Sequence, residues 1–345
     1  MKYENVQENL KKNQSTWLIT GVAGFIGSNL LESLLMLNQK VVGLDNFETG
    51  FQHNIDQAIE DAEKASQKTL RNNFKFINGD ISNIEDCQCA CLGIDYVLHH
   101  AALGSVPRSI EAPLSSNRSN IDGFLNMLVA SRDSRIKRFI YASSSANYGD
   151  HPALPKLEGH IGNPLSPYAV TKVVNELYAN VFASTYGLQS IGLRYFNIFG
   201  KRQDPAGAYA AVVPCWVSSI LNQESIFING DGSTSRDFCY IDNVVQANIL
   251  AATVKNDASI NQVYNVAVGE KTSLNDLHQI IEDLLINRVD VLIKKEPIYR
   301  EFRDGDVMHS LADISKAEAL LGYQSNFTLK QGLRNLIDWH LSKSN

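Results

Sequence analysis

The segment Gly21-Val22-Ala23-Gly24-Phe25-Ile26-Gly27 limits the fold of this chain more than any other feature. It spaces glycines as G-x-x-G-x-x-G between a short apolar run, Trp17-Leu18-Ile19-Thr20, and a stretch from Phe25 to Leu37 with apolar residues at helical spacing. Lys40-Val41-Val42-Gly43-Leu44-Asp45 follows as a second apolar strand. Strand, tight turn, helix and strand in that order make a βαβ unit. Glycines at such a turn let the backbone approach a pyrophosphate closely. The helix N-terminus then offers free N–H groups and the positive end of its dipole. An ordinary tight turn is the weaker alternative, because the motif sits in the strand–turn–helix frame that gives it meaning.

The alternation continues. Phe74 to Ile77, Asp95 to His100, Arg138 to Ala142 and Ser190 to Arg194 read as strands, and Ile121 to Ser131 reads as a helix. The pattern predicts an α/β chain with a Rossmann-type doubly wound parallel sheet. After Phe196-Asn197-Ile198-Phe199-Gly200 it weakens into a Pro/Gly/Asp loop, an apolar helix from about Ala211 to Leu221 and a strand at Ile226 to Ile228. Asp242 to Val254 is helical again, and Val263 to Ala267 is another buried strand. We therefore expect a dinucleotide-binding domain over residues 16–199, with 236–269 returning to it. A smaller mixed α/β substrate domain, discontinuous in sequence, would lie within 200–345.

Composition narrows the partners. The 345 residues carry a net charge of −6, which argues against a nucleic acid, since a phosphate backbone calls for a basic face. An odd number of cysteines, five, gives no disulfide framework and suits a reducing compartment. Cys87, Cys89 and Cys91 alternate rather than following C-x-x-C spacing, so no metal is expected. The polar prefix Met1 to Ser15 lacks the apolar run of a signal peptide, and no stretch approaches a membrane span. We expect a cytoplasmic protein whose prefix holds a short helix from Tyr3 to Lys11.

Asp45 ends the second strand 18 residues after Gly27. An acid there accepts hydrogen bonds from the adenosine ribose and repels a 2′-phosphate, which favours NAD over NADP. Asp80 and Ile81 follow the third strand, placed to meet the adenine. Ala101 and Ala102 follow the fourth, where small side chains let the backbone lie against a dinucleotide. Tyr168 and Lys172 form Y-x-x-x-K, and residues four apart share one helical face. Pro164-Leu165-Ser166-Pro167 supplies the helix start. Such a pair on its own is a common surface pattern; its place after a dinucleotide fold gives it a role. A phenol titrates near 10, and bringing it to 7 takes about 4 kcal/mol of stabilisation, which a lysine and a positive nicotinamide ring would supply. Ser143-Ser144-Ser145 lies at a carboxyl end of the sheet, where a hydroxyl can relay a substrate proton to Tyr168. Asn197, after the next strand, is a candidate contact to sugar or phosphate.

These motifs, with Tyr148-Gly149-Asp150, Leu193-Arg194-Tyr195-Phe196-Asn197, the run His99 to Ser109 and Ser235 to Ile241, resemble the extended short-chain dehydrogenases/reductases. The likeness is to the UDP-hexose 4-epimerases, and within them to bacterial UDP-N-acetylglucosamine 4-epimerases of O-antigen synthesis. It spans Thr16 to about Trp339. It implies that Tyr168 takes the proton of the sugar 4-hydroxyl while hydride leaves C4 for NAD, and that a 4-keto sugar turns over and is reduced on its other face. NAD would stay bound and be regenerated. Ser144 aligns with the catalytic serine, Ser145 being its neighbour. The resemblance adds Phe25, Ile26, Asn46, Gly50 and Tyr195 to the NAD contacts of Gly21, Gly24, Gly27, Asp45, Asp80, Ile81, Ala101, Ala102, Tyr168 and Lys172. For the UDP-sugar it implies Gly104, Ser105, Ser144, Ser145, Asn197, Val213 and Asn229. Arg236 and Arg303 would hold the diphosphate, and Asp306 the uridine ribose. Ser310 matches a gate beside the hexose, where a small residue leaves room for a 2-acetamido group. A homodimer through a four-helix bundle of residues 121–131 and 168–186 is also implied.

Three other readings stay open. The stretch Ser144-Ser145-Ala146-Asn147 lacks the carboxylate that dehydratases and decarboxylases of nucleotide sugars use for acid–base work. A UDP-hexuronic acid or UDP-Glc/UDP-Gal 4-epimerase would run the same chemistry. A non-catalytic NAD sensor is disfavoured because Tyr168, Lys172, the glycines and Asp45 are all present.

Overall fold

The computed structural model describes residues 2–207, 210–286, 288, 295–302 and 307–343. Seven strands form one parallel sheet: β1 (Thr16–Thr20), β2 (Lys40–Asp45), β3 (Phe74–Asn78), β4 (Tyr96–His99), β5 (Arg138–Ser144), β6 (Ser190–Tyr195) and β7 (Gln262–Val266). Their spatial order is β7-β6-β5-β4-β1-β2-β3. The order reverses between β1 and β4, and a doubly wound sheet opens its ligand crevice beyond the strand ends at such a point. Thr20 at the end of β1 pairs with His99 on one side and Leu44 on the other. β6 is buried at every position, as a central parallel strand covered on both faces must be.

The helices are α1 (Tyr3–Lys12), α2 (Phe25–Met36), α3 (Gln52–Ser66), α4 (Ile84–Ala90), α5 (Val106–Glu111), α6 (Pro113–Asn117), α7 (Gly123–Asp133), α8 (Pro167–Tyr186), α9 (Val212–Leu221), α10 (Ile241–Thr253), α11 (Leu274–Ile286), α12 (Ser315–Leu321) and α13 (Leu329–Lys343). The prefix helix α1 packs into the fold. It buries Val6 and Leu10, each contributing about 1.5–3 kcal/mol. Gln39 locks it, donating to the Leu10 carbonyl at 2.7 Å and accepting from the Trp17 indole at 3.0 Å. Helix α3 was not anticipated from the sequence. Its buried Ile55, Ala58, Ile59 and Ala62 have helical spacing but are diluted by polar neighbours. The expected helix from Ile121 starts as a π turn over Arg118–Asp122 and becomes α-helical at Gly123.

Helix α8 shows why the Y-x-x-x-K segment is straight and fixed. The Ser166 hydroxyl caps it by accepting from the Ala169 N–H at 3.2 Å, Pro167 occupies the first turn, and Gly187 ends it at φ +71°. Beyond residue 199 the smaller layer contains α9, α11 and two short strand pairs. Phe227–Asn229 runs parallel to Ile298–Arg300, and Ser235–Arg236 antiparallel to Thr272–Ser273. The chain returns to the large sheet through α10, which packs on α2, β5 and β6, and through β7.

Candidate functional site

The glycine loop turns over the end of β1. Gly21 lies at φ +72°, and a Cβ there would stand 2.8 Å from the Ala101 nitrogen. The Thr20 hydroxyl accepts from the N–H groups of His100 and Ala101 at 3.2 and 3.1 Å, so the loop and the end of β4 are tied together. Gly24 caps α2, whose first turn begins at Phe25, Ile26 and Gly27 and leaves N–H groups without intrahelical partners. Asp45 is buried, and its carboxylate accepts from the Ala23 and Phe47 N–H groups at 2.9 and 2.8 Å. Burial raises this carboxyl above its ordinary value while those N–H groups draw it down.

An open groove of about 520 Å³ runs along these strand ends. Gly21, Gly24, Asp45, Asn46, Gly50, Asp80, Ile81, Ala101 and Ala102 line it. Asn46 donates to Asp80 at 3.1 Å. A glycine cradle, an unobstructed helix N-terminus and a buried acid at the end of β2 fit a dinucleotide. His100, Leu103 and Ser119 also line the groove, and sequence reasoning missed them. Tyr195 lines none of the three cavities described here. Its hydroxyl accepts from Asn248 at 2.8 Å and its ring stacks on His100, so it braces the groove wall from behind. Burial pulls His100 down to about 3, which keeps it neutral.

Ser143 and Ser144 belong to the end of β5 rather than to a turn, and their side chains part company. Ser143 faces inward and donates to Glu176 at 2.5 Å. Glu176 also takes Arg194 at 2.7 and 2.9 Å and Asn147 at 2.7 Å, a buried network that fixes β5, β6 and α8 to one another. Ser144 instead accepts from the Ala146 N–H at 3.1 Å and stands close enough to the Tyr168 phenol to influence its titration. Ser145 lines the neighbouring cavity.

Burial raises the Tyr168 phenol above its usual value, and the bond to Ser144 opposes it. The expected lowering by Lys172 is not found. The Lys172 ammonium donates to the Ala142 carbonyl at 2.9 Å and stands 5.9 Å from the phenol ring centre. Burial pulls it down to about 8. Lys172 is nonetheless close enough to depress His100 in the groove wall. Ser166 and Ala169, on either side of Tyr168, line the cavity on the opposite side. Tyr168 itself lines neither the groove nor the cavity.

That cavity, about 1370 Å³, is bounded by Val106, Ser145, Lys156, Phe196, Asn197 and Ser310, among others. A second, of about 1540 Å³, is lined by Val212, Phe227, Asn229, Arg300 and Met308. Asn197 and Arg236 line both and mark their junction. Asn197 holds φ +32° and donates to the Asp237 carbonyl at 3.1 Å; Ser105 holds φ +118° and caps α5. Strained backbone of this kind gathers at functional sites. Gly104 and Ser105 precede the wall residues Val106 and Pro107. Val213 requires correction: its side chain is buried in the core, and its neighbour Val212 faces the cavity, because α9 turns that position inward. Arg303 and Asp306 lie outside the described residues. Arg300, its guanidinium 3.4 Å from the centre of the Phe227 ring, and Lys156 were not anticipated.

Cys87 and Cys89 lie on α4 and Cys91 follows it, and among the described residues no cluster of three or more side chains could hold a metal. No described helix is long and apolar enough to cross a membrane.

Comparisons with known proteins agree with this geometry. The sequence pattern of the NAD dependent epimerase/dehydratase family matches residues 17–267. A putative UDP-glucose 4-epimerase of Methanocaldococcus jannaschii is 35% identical, over 93% of this chain and 97% of its own. The structure of a UDP-N-acetylglucosamine 4-epimerase from Methanobrevibacter ruminantium, in complex with UDP-N-acetylmuramic acid, superposes with a TM-score of 0.85 at 37% identity, covering 96% of this chain and 99% of that one. A Thermus thermophilus UDP-glucose 4-epimerase in complex with NAD gives 0.79 at 28% identity, covering 94% and 98%.

Proposed function

This chain belongs to the NAD dependent epimerase/dehydratase family, and from that premise we propose that it inverts carbon 4 of a UDP-hexose, chiefly interconverting UDP-GlcNAc and UDP-GalNAc. The observation that carries the proposal is the placing of Ser144, at the end of β5, close enough to the Tyr168 phenol to lower its titration, beside the cavity that Ser145, Ser166 and Ala169 line. Gly21, Gly24, Gly27, Asp45 and the strand-end residues Asp80, Ile81, Ala101 and Ala102 would hold NAD along the groove. When bound there, NAD supplies a hydride acceptor and donor for C4.

The residues of the chain do the rest. Tyr168 takes the proton of the sugar 4-hydroxyl and later returns one, with Ser144 sharing the hydrogen bond to O4. Lys172 fixes the orientation of the tyrosine from the Ala142 carbonyl. Arg236 and Arg300 seat the diphosphate, where guanidinium forks suit phosphate oxygens. The 4-keto sugar turns over inside the cavity while its UDP stays held, presenting its other face. Ser310 in the wall leaves space for a 2-acetamido group. Purified protein given UDP-GlcNAc should produce UDP-GalNAc, resolved by anion-exchange chromatography. NAD-loaded protein that converts no UDP-sugar would refute the reading in favour of a sensor.

A homodimer completes the proposal. Val170, Leu177 and Val181 make an exposed apolar stripe along α8, with exposed Leu114 on the adjacent α6. A second copy covering this stripe would build a four-helix bundle from α7 and α8. Sedimentation of Leu177→Glu should show monomer where the parent sediments as dimer; identical profiles would count against it.

A further inference from the structure

We infer that Ser109 is a positioning residue for Tyr168: its hydroxyl couples the backbone that carries the phenol to the wall of the sugar cavity, and turnover depends on that link. The inference rests on the reading above, in which Tyr168 moves the proton of the sugar 4-hydroxyl.

The link follows from how α8 begins. Pro167 has no N–H, and the Ser166 hydroxyl is engaged by the Ala169 N–H. The Tyr168 N–H lies in the first turn, where no acceptor is available within the helix itself. A side chain from another element supplies one: the Ser109 hydroxyl on α5 accepts from it at 3.0 Å. The same hydroxyl donates to the Val106 carbonyl at 2.7 Å. A serine has a single O–H hydrogen, so the direction is fixed, from the Tyr168 N–H through Ser109 to Val106. Val106 lines the sugar cavity, next to Ser105 with its φ of +118°. Ser109 is fully buried, so solvent does not compete for either bond.

The carbonyl of Tyr168 is tied to the same stretch of chain. It accepts from the Thr171 hydroxyl at 2.7 Å, and Thr171 accepts from the Asn120 amide at 3.2 Å. Asn120 also donates to the Leu103 carbonyl at 3.0 Å and accepts from the Leu103 N–H at 2.7 Å. Leu103 lines the dinucleotide groove and Val106 the sugar cavity. Residues 103–109 thus hold Tyr168 at both backbone ends and set its position relative to cofactor and sugar alike. Removing the Ser109 hydroxyl frees the N–H end and leaves the carbonyl end, Lys172 and the Ser166 cap in place. The helix stays seated while its first turn gains freedom to pivot. Proton transfer needs donor and acceptor within hydrogen-bond reach, and a displacement on the order of 1 Å can cost about a hundredfold in rate. Ser109 lines neither groove nor cavity, so it acts through Tyr168.

The test is Ser109→Ala in NAD-loaded protein, alone and combined with Tyr168→Phe, with residual turnover followed on radiolabelled UDP-GlcNAc. Alone, it should lower kcat about ten- to a hundredfold, with KM within about twofold and NAD content unchanged. In the Tyr168→Phe background it should have no further effect, because the hydroxyl through which it acts is gone. Ser259→Ala, which deletes a buried hydroxyl bond to the Leu320 carbonyl, should turn over like the parent and serves as the control for a general loss of packing. A parent-like kcat in Ser109→Ala, a change confined to KM, or an equal loss in Ser259→Ala overturns the inference. So does an equal further loss in the Tyr168→Phe background, or a Ser109→Ala protein that no longer folds or holds NAD. Tyr168→Phe turning over like the parent would sink the base reading itself, whatever Ser109→Ala does. An inactive Tyr168→Phe beside an unimpaired Ser109→Ala sinks the positioning role alone.

Discussion

The carbonyl oxygen of Gly21 stands 2.1 Å from the point that a Cβ on Gly27 would occupy. Backbone, not a pliable side chain, fills the space, so any larger residue must push the turn away from α2. Gly27→Ala is expected to strip NAD from the purified protein by about tenfold or more, with a loss of about 1–3 kcal/mol in stability. Absorbance of released cofactor and a urea melt check both. Parent-level NAD content would show that the turn is not the dinucleotide seat.

Asp45 acts on the same cofactor by a different route. Its carboxylate already accepts two N–H groups, and the residue lines the groove. Asp45→Ala should weaken NAD retention through the lost ribose acceptor and the loosened loop. Asp45→Asn, which keeps the shape but lacks the charge, should admit NADP better than the parent does. An unchanged NAD-to-NADP ratio would remove the acid from the explanation.

Tyr168→Phe keeps the ring and deletes the hydroxyl that Ser144 meets. Turnover should fall by about 10²–10⁴ with NAD still bound, because proton transfer is lost and the dinucleotide fold is not. Ser144→Ala should reduce turnover less and shift the acid limb of the pH–rate profile upward, since the base acts ionised and Ser144 opposes the burial that raises the phenol. Turnover near the parent's in Tyr168→Phe would end the base assignment.

Ser310→Tyr should close the space for a 2-acetamido group. Activity on UDP-GlcNAc is expected to drop at least about tenfold more than activity on UDP-Glc, as steric exclusion in a pocket discriminates by about 1–3 kcal/mol. Parallel loss on both substrates would remove the gate.

Asp237 couples pH to stability. Burial raises its carboxyl to about 6 from 3.8, although the N–H groups of Val268, Gly269 and Ala312 draw it down. A carboxyl raised on folding binds its proton more tightly in the folded state. Its stabilising contribution is therefore full below about pH 4 and lost as pH climbs through about 6. Between those limits the parent should lose about 3 kcal/mol relative to Asp237→Asn in urea melts. A pH-independent difference between the two would place the titration elsewhere.

Much of the site was legible before any coordinates. The glycine spacing, the acid ending β2 and the small residues after β4 each reflect a local backbone need, and the groove gathers those residues together. Less visible were features that depend on pairing distant segments. Helix α3 was missed because polar residues masked its apolar spacing, and Arg300 because its strand pairs with Phe227–Asn229 across many intervening residues. That the Lys172 ammonium turns to the Ala142 carbonyl is something no spacing reveals.

The sequence alone determined the doubly wound frame, because parallel strands covered on both faces need continuous apolar runs and a dinucleotide turn needs residues without side chains. Tertiary structure alone decided which of two neighbours faces the chemistry. Ser144 rather than Ser143 meets Tyr168, Val212 rather than Val213 borders the cavity, and Lys156 reaches the sugar cavity at all. Those choices turn on the rotation of a strand end or helix and on hydrogen bonds to segments such as 311–313. They become fixed only when those segments pack together.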